Sequence, residues 1–359
     1  MFYREAGQFK TSYQADSAVF PILQDRIGLA VILAIAFGVI PFFATEFFVQ
    51  GIMIPFLIYA LAAIGLNILL GYAGQLSLGS AAFMGVGAYT AYKLVTYFPE
   101  TNVILLILVS GFVPALIGVL FGLPSLRIKG LYLAVATLAA QFFLDWCFIR
   151  IAWLYNYNPS GAIEMPARQA FGLTLTGPAA DYMLRYYAVL GIVVLMTWFA
   201  SNLVHGRIGR TWMMVRDMDI AAQLMGVKLT NAKLTAFAVS SFYCGVAGAM
   251  LVTLYLNAAE PGAVFTIRQS FLVLFMVILG GLGSLIGSFF GAAFILLLPI
   301  LLRTAAASFH LPIEVKNIEN LQFMIVGALI ILFLKFEPHG LARLWQVGKQ
   351  KLRVWPFPY

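Results

Sequence analysis

Apolar runs of about 20 residues recur along this chain, and each is the length an α-helix needs to cross about 30 Å of hydrocarbon. Ten can be marked, at 27–46, 51–70, 78–97, 103–123, 130–150, 182–204, 231–256, 268–281, 285–303 and 320–336. Inside hydrocarbon every backbone polar group has to be satisfied within the protein, so only helices and closed barrels span it. Barrel strands would be about 10 residues long with strict alternation, and these runs show neither property. Only 10% of the 359 residues are charged, against roughly 25% in a soluble domain, so most of the surface is unsuited to water. The expected fold class is all-α, a polytopic transmembrane helical bundle of about ten spans. It divides into a cytoplasmic leader at 1–26, a membrane domain at 27–336 and a cytoplasmic tail at 337–359.

Lysine and arginine placement sets the expected orientation, because cytoplasmic loops carry the excess. With a cytoplasmic amino terminus, ten spans put the leader, loop 124–129, loop 205–230 and the tail on one side. That side holds 15 of the 22 basic residues, including Arg127 and Lys129, and six of the 14 acidic ones. The two sides then carry about +9 and −1, and the net charge of +8 is a topology signal. The basic residues sit singly at helix ends with no interleaved stacking aromatics, so nothing points to nucleic acid. The polar leader delays the first apolar run too far for a cleavable signal peptide, and the first span is expected to be an anchor. Cys147 and Cys244 give neither a disulfide framework nor a metal spacing.

Two stretches share a pattern. "ILLGYAGQLSLGSAAFMGVGAYTA" from Ile68 and "VILGGLGSLIGSFFGAAF" from Val277 each pass from an apolar run through Gly-x-x-Gly to small residues at four-residue steps. Gly283, Gly287 and Gly291 would share one helical face, as would Ser77, Ala81 and Gly85; the simplest role for such spacing is close helix packing. The glycine clusters at Gly71 and Gly74 and at Gly280, Gly281 and Gly283 would instead interrupt the helices. Non-helical backbone is tolerated at membrane depth only where it is buried or lines a cavity, and interrupted segments at matching positions point to a transport path. Span counting makes the two copies run the same way through the membrane. Asn67 and Gln75 flank the first break and are polar without charge, which suits a neutral or zwitterionic solute. Glu46, Lys93 and Asp145 lie near span ends, where interfacial anchoring is their simplest role.

Between the sixth and seventh spans stands "GRIGRTWMMVRDMDIAAQLMGV", with three arginines and two aspartates. On a helical wheel over 211–225, Met214, Val215, Met218, Ala221, Ala222 and Met225 form one apolar stripe, and Met213, Ile220 and Leu224 form a second. Trp212, Arg216, Asp219 and Gln223 fall between them. Gly226 is placed to stop the helix in the αL conformation, and Thr230 to cap the next one. A helix resting on headgroups needs one apolar face. Two faces fit a connector, one side on its own membrane domain and the other on a second protein. The chain has no Gly-x-x-x-x-Gly-Lys-[Ser/Thr] phosphate loop, so nucleotide hydrolysis would belong to that partner.

This segment with the following "KLTNAKLTAFAVSSFYCGVAGAM" closely resembles the coupling segment of LivM-type permeases, the membrane subunits of branched-chain amino acid ABC importers. The likeness extends to "GYAGQLSLGSAAFMGVGAY", "VILGGLGSLIGS" and "FEPHGL", over about residues 50–341. It implies a bacterial inner-membrane importer for branched-chain amino acids or a related small solute such as urea or an amide. The partners implied are a homologous second permease, two cytoplasmic ATP-binding subunits and a periplasmic binding protein. ATP and magnesium would reside in the ATPases, with no cofactor, metal or catalytic residue in this chain. Gly209, Arg210, Trp212, Arg216, Asp217, Asp219, Ala222 and Gly226 would carry coupling. Asn67, Gly71, Gly74, Gln75, Ser77, Gly79, Gly280, Gly281, Gly283 and Ser284 would border the path. A secondary carrier or passive channel for a small neutral solute is the alternative; it usually keeps a carboxylate near the midplane, and no span has a convincing one. A membrane-embedded enzyme would need a polar cluster within the spans, and His205, His310 and His339 all fall in expected loops.

Overall fold

The structure is a computed structural model that describes residues 11–12, 23–125, 131–170, 172–177, 180–260, 262–308, 315–336 and 340–354. Leader residues 1–10 and 13–22, Arg127 and Lys129, and the 337–339 part of "FEPHGL" lie outside the described residues. A helix forms at each of the ten expected runs. In chain order the helices are α1 (Asp25–Phe43), α2 (Glu46–Tyr72), α3 (Ser80–Tyr97), α4 (Val103–Leu123), α5 (Leu131–Arg150), α6 (Tyr182–His205), α7 (Arg207–Asp217), α8 (Asp219–Leu224), α9 (Leu229–Leu256), α10 (Ile267–Gly280), α11 (Leu285–Ser308), α12 (Val315–Phe336) and α13 (Gly340–Val354). Among the described residues, seven of them are long and apolar enough to cross a membrane, namely α1, α2, α4, α5, α6, α9 and α11. The chain is an all-α polytopic bundle.

Helices α2 and α9 form its centre, and α9 packs along α2, α3 and α4. The α3–α9 contact is made by backbone. A Cβ on Gly87 would lie 2.0 Å from the Gly245 carbonyl oxygen, and one on Gly248 would lie 1.9 Å from that of Met84. Small residues let helices approach this closely, and in lipid such van der Waals contact drives association. α1 is peripheral, with no buried residue in its apolar window. It opens into π-helical geometry at Ile35–Val39, and there the Tyr186 hydroxyl of α6 donates to the Ala36 carbonyl at 2.9 Å. A π-turn frees carbonyls from the α-ladder, and Tyr186 takes one of them.

One end of the bundle is closed by the segment between α5 and α6. Short strands β1 (Ile163–Glu164) and β4 (Ala258–Ala259) pair antiparallel, and so do β2 (Gln169–Ala170) and β3 (Leu173–Thr174). Lys93, near the end of α3, holds this cap. Its ammonium donates to Asn156 Oδ1 and stands 4.2 Å from the Trp153 ring centroid. Lys93 is buried but near its helix end, so anchoring of a loop is its structural role.

The opposite end gathers α7, α8, α13 and the start of α1. Lys349 of α13 is ion-paired with Asp25 of α1, and Gly340 at the head of α13 rests against Gly281.

Candidate translocation and coupling site

The two glycine-rich breaks meet at that end. α2 passes into π-helical geometry over Ile68–Tyr72 and stops, and α3 begins only at Ser80. α10 ends at Gly280, and α11 begins at Leu285. Asn67 binds one break to the other. Its Oδ1 accepts from the Gly283 N–H at 2.9 Å, while Nδ2 donates to the Ser284 carbonyl at 2.8 Å and to Ser288 Oγ at 2.9 Å. Asn67 has no exposed surface, and an amide with a donor end and an acceptor end is what a break with both free N–H and free C=O groups requires. The fit is tight. A Cβ on Gly71 would lie 2.2 Å from the Gly283 nitrogen, and Gly283 itself has φ 74°.

Some expected faces differ. Gly283 lies in the turn and outside α11, so it does not share a helical face with Gly287 and Gly291. Those two do pack closely, since a Cβ on Gly280 would lie 2.1 Å from the Gly287 carbonyl oxygen and one on Gly291 1.7 Å from that of Met276. Ser77 precedes α3 and is buried in the loop; its Oγ accepts from the Gly79 N–H at 3.4 Å. Gly79 lies against the Thr137 carbonyl of α5. Gln75 is only 4% exposed, and neither atom of its amide has a partner among the described residues.

The charged segment reaches these breaks. Arg216, near the end of α7, donates from Nη1 to the Gly71 carbonyl at 2.7 Å, and its Nε pairs with Asp217 at 2.8 Å. The Arg216 stem crosses Gly74, where a Cβ would lie 2.7 Å from Cγ and where φ is 67°. The carbonyl belongs to the last turn of α2, the end at which a cation also meets the favourable pole of the helix dipole. Between this loop and the charged segment lies a cavity of about 770 Å³, lined among others by Gly74, Gln75, Arg216, Asp219 and Lys233.

The segment is two helices where the wheel drew one. Met218 is extended (φ −149°, ψ 95°) and separates α7 from α8. The aspartates explain the division. Asp219 sits in the first turn of α8, where a negative charge is favoured, and Asp217 closes α7, where it is not. The buried side is Gly209, Trp212, Val215 and Ala222, so Trp212 belongs to the inner face and not between the stripes. Its indole donates to Thr235 Oγ1 at 3.1 Å. Met218 and Met225, expected on one stripe with Val215 and Ala222, are instead 70% and 65% exposed and join Ile220 and Leu224 in an outward apolar patch. Arg210 is exposed. Gly226 adopts the αL stop, with φ 86°. Thr230 is no cap, because α9 starts one residue before it and takes Lys228 as its N-cap.

A third cluster escaped the sequence reading. α3 and α10 both begin beside the middle of α5. The Ala81 N–H donates to Ser270 Oγ and the Ala82 N–H to Gln141 Oε1, at 2.9 and 2.8 Å. Gln141 Nε2 donates to the Phe265 carbonyl at 2.8 Å and to both oxygens of Asp145 at 3.1 Å. Thr137 Oγ1 accepts from the Leu78 N–H at 2.9 Å. Thr137, Gln141 and Asp145 are four residues apart, a polar stripe down an apolar helix, and that spacing was the signal.

Residues 48–334 match the family model described as branched-chain amino acid transport system / permease component. Over 312 residues the chain is 28% identical to the high-affinity branched-chain amino acid transport system permease protein LivM of Salmonella typhimurium, covering 79% of this chain and 68% of that one. The Escherichia coli protein of the same description gives the same identity and coverage. A probable branched-chain amino acid transport permease protein LivM of Methanocaldococcus jannaschii is 24% identical over 327 residues, 81% of this chain and 92% of that one. No solved structure matches the chain. With a bundle of apolar helices around two interlocked breaks, and the family's model matched over most of its length, the chain is a multi-pass membrane permease that belongs to the branched-chain amino acid transport permease family.

Proposed function

We propose that this permease is the membrane subunit of an ATP-driven importer in a bacterial inner membrane, with both termini cytoplasmic. A periplasmic binding protein delivers branched-chain amino acids or a related small solute such as urea or an amide. A homologous second permease completes the path, and two cytoplasmic ATP-binding subunits, holding ATP and magnesium, drive it. The observation that carries the reading is the Arg216–Gly71 bond. It runs from a helix outside the spans to the backbone of a break within them, so movement of α7 acts on the place where Asn67 joins both breaks. The outward apolar patch on α8 provides the surface for the ATPase, and the cavity beside Gln75 provides space at the end of the path.

Two substitutions separate docking from transmission. Leu224 is 85% exposed, so Leu224→Asp is expected to insert normally and to lose co-purification with the ATP-binding subunits. Arg216→Met keeps the stem over Gly74 and removes the bond to Gly71. It is expected to retain those subunits and to lose substrate-stimulated ATP hydrolysis. Normal assembly of the first and normal stimulation in the second would leave α7 and α8 as a surface helix pair, and transport without nucleotide would favour the carrier reading.

A further inference from the structure

We propose that α13 is a membrane-surface helix that binds anionic lipid headgroups and holds Gly340 against the Gly281 turn. Its sequence, "GLARLWQVGKQKLRV", has four basic residues, Arg343, Lys349, Lys351 and Arg353, and no acidic one. Its position fixes its depth. Phe336 ends α12 four residues before α13 begins, and Lys349 pairs with Asp25, the first residue of the apolar α1 span. A helix held at the end of the apolar α12 and the start of the α1 span lies at headgroup level.

Only part of α13 is satisfied by protein. Ala342 is buried, and the Trp345 ring packs on Phe290 with centroids 5.6 Å apart. Yet Leu344 remains 50% exposed and Trp345 55% exposed. An apolar edge with aromatic and aliphatic side chains beside lysine and arginine is the pattern of helices lying in the interface plane, and tryptophan favours that level. A uniformly positive helix there is complementary to a negatively charged leaflet.

The head of α13 ties this surface to the path. Gly340 has φ 67°, and a Cβ there would lie 2.7 Å from the Leu279 carbonyl oxygen and 2.8 Å from the Gly281 nitrogen. The Gly281–Gly283 turn is thus held from two directions, by Asn67 within the bundle and by α13 from the membrane surface.

The test uses the full-length protein carrying Leu344→Cys in a Cys147→Ala background, labelled with a fluorophore. It is reconstituted in vesicles of phosphatidylcholine alone or with phosphatidylglycerol as the minority lipid. The readout is quenching by nitroxide-bearing lipid relative to quenching by aqueous iodide. Phosphatidylglycerol should raise that ratio several-fold. Each basic residue near an anionic surface contributes about a fivefold preference, so Lys351→Gln should remove most of that increase and leave the ratio in neutral vesicles unchanged. A ratio indifferent to phosphatidylglycerol, or one that Lys351→Gln leaves unaltered, overturns the proposal. Iodide protection appearing only when the ATP-binding subunits are added also overturns it, because the face would then be a protein contact.

Discussion

Replacing Asn67 by alanine removes a buried side chain that joins the two breaks. The loss can be sized from its partners. Three good contacts disappear, to the Gly283 N–H, the Ser284 carbonyl and Ser288 Oγ. Hydrogen bonds between membrane helices are worth about 0.6 kcal/mol on average and up to about 1.7, while a buried backbone group left without a partner costs about 1–3 kcal/mol. Ser288 Oγ keeps a weak contact to the Ser284 carbonyl at 3.5 Å, so the full penalty falls mainly on Gly283. The expected loss is about 2–5 kcal/mol. Cys244 is 1% exposed on the central α9 and is a built-in reporter, since its reaction with a thiol dye during heating marks opening of the bundle. Asn67→Ala should react at a temperature several degrees below the parent and lose uptake. Asn67→Asp still accepts from Gly283 but turns an acceptor toward the Ser284 carbonyl, so it should be at least as damaging. Parental melting together with parental uptake in Asn67→Ala would refute the claim that this residue holds the breaks together.

Gly71→Ala should abolish uptake, because its Cβ would collide with the Gly283 nitrogen, whereas Gly191→Ala, with nothing within 4 Å of the new carbon, should be silent in the same uptake assay. Gly74→Leu, at φ 67° and against the Arg216 stem, should lower stimulated ATP hydrolysis more than protein level explains. Cysteine at Ser160 should be labelled from outside intact cells and cysteine at Lys228 should not; strong external labelling at Lys228 would invert the proposed orientation. Lys93→Met should cost about 1–3 kcal/mol and raise hydrogen exchange in 151–158 with little change in the α9 core; equal exchange there would remove Lys93 as the anchor of the cap.

Much of the fold could be read from apolar run length alone, because hydrocarbon thickness permits few solutions. Each of the ten runs became a helix, and the two glycine clusters became breaks, since Gly74, Gly281 and Gly283 adopt positive φ. The charged segment was harder. A wheel assumes an unbroken helix, and it misassigned Met218, Met225 and Trp212 once the chain turned extended at Met218. The destination of Arg216 was not legible, because its acceptor is a carbonyl 145 residues away, and backbone acceptors leave no mark in side-chain patterns. The same holds for Asn67, recognisable as polar within a span but not as the joint between two distant breaks. Gln141 was missed because attention went to charge, while its partners are backbone groups, one serine and a carboxylate.

The Arg216 contact ends on main chain, and that gives it a mechanical character. A side-chain acceptor could swing to a new rotamer and absorb a displacement; the Gly71 carbonyl has no such slack. Any give in the joint therefore has to come from the Arg216 side chain, whose stem lies against Gly74; displacement of α7 beyond that reach either parts the bond or moves the π-turn of Ile68–Tyr72. The slack sits on one side only, as in a tether tied to a fixed post.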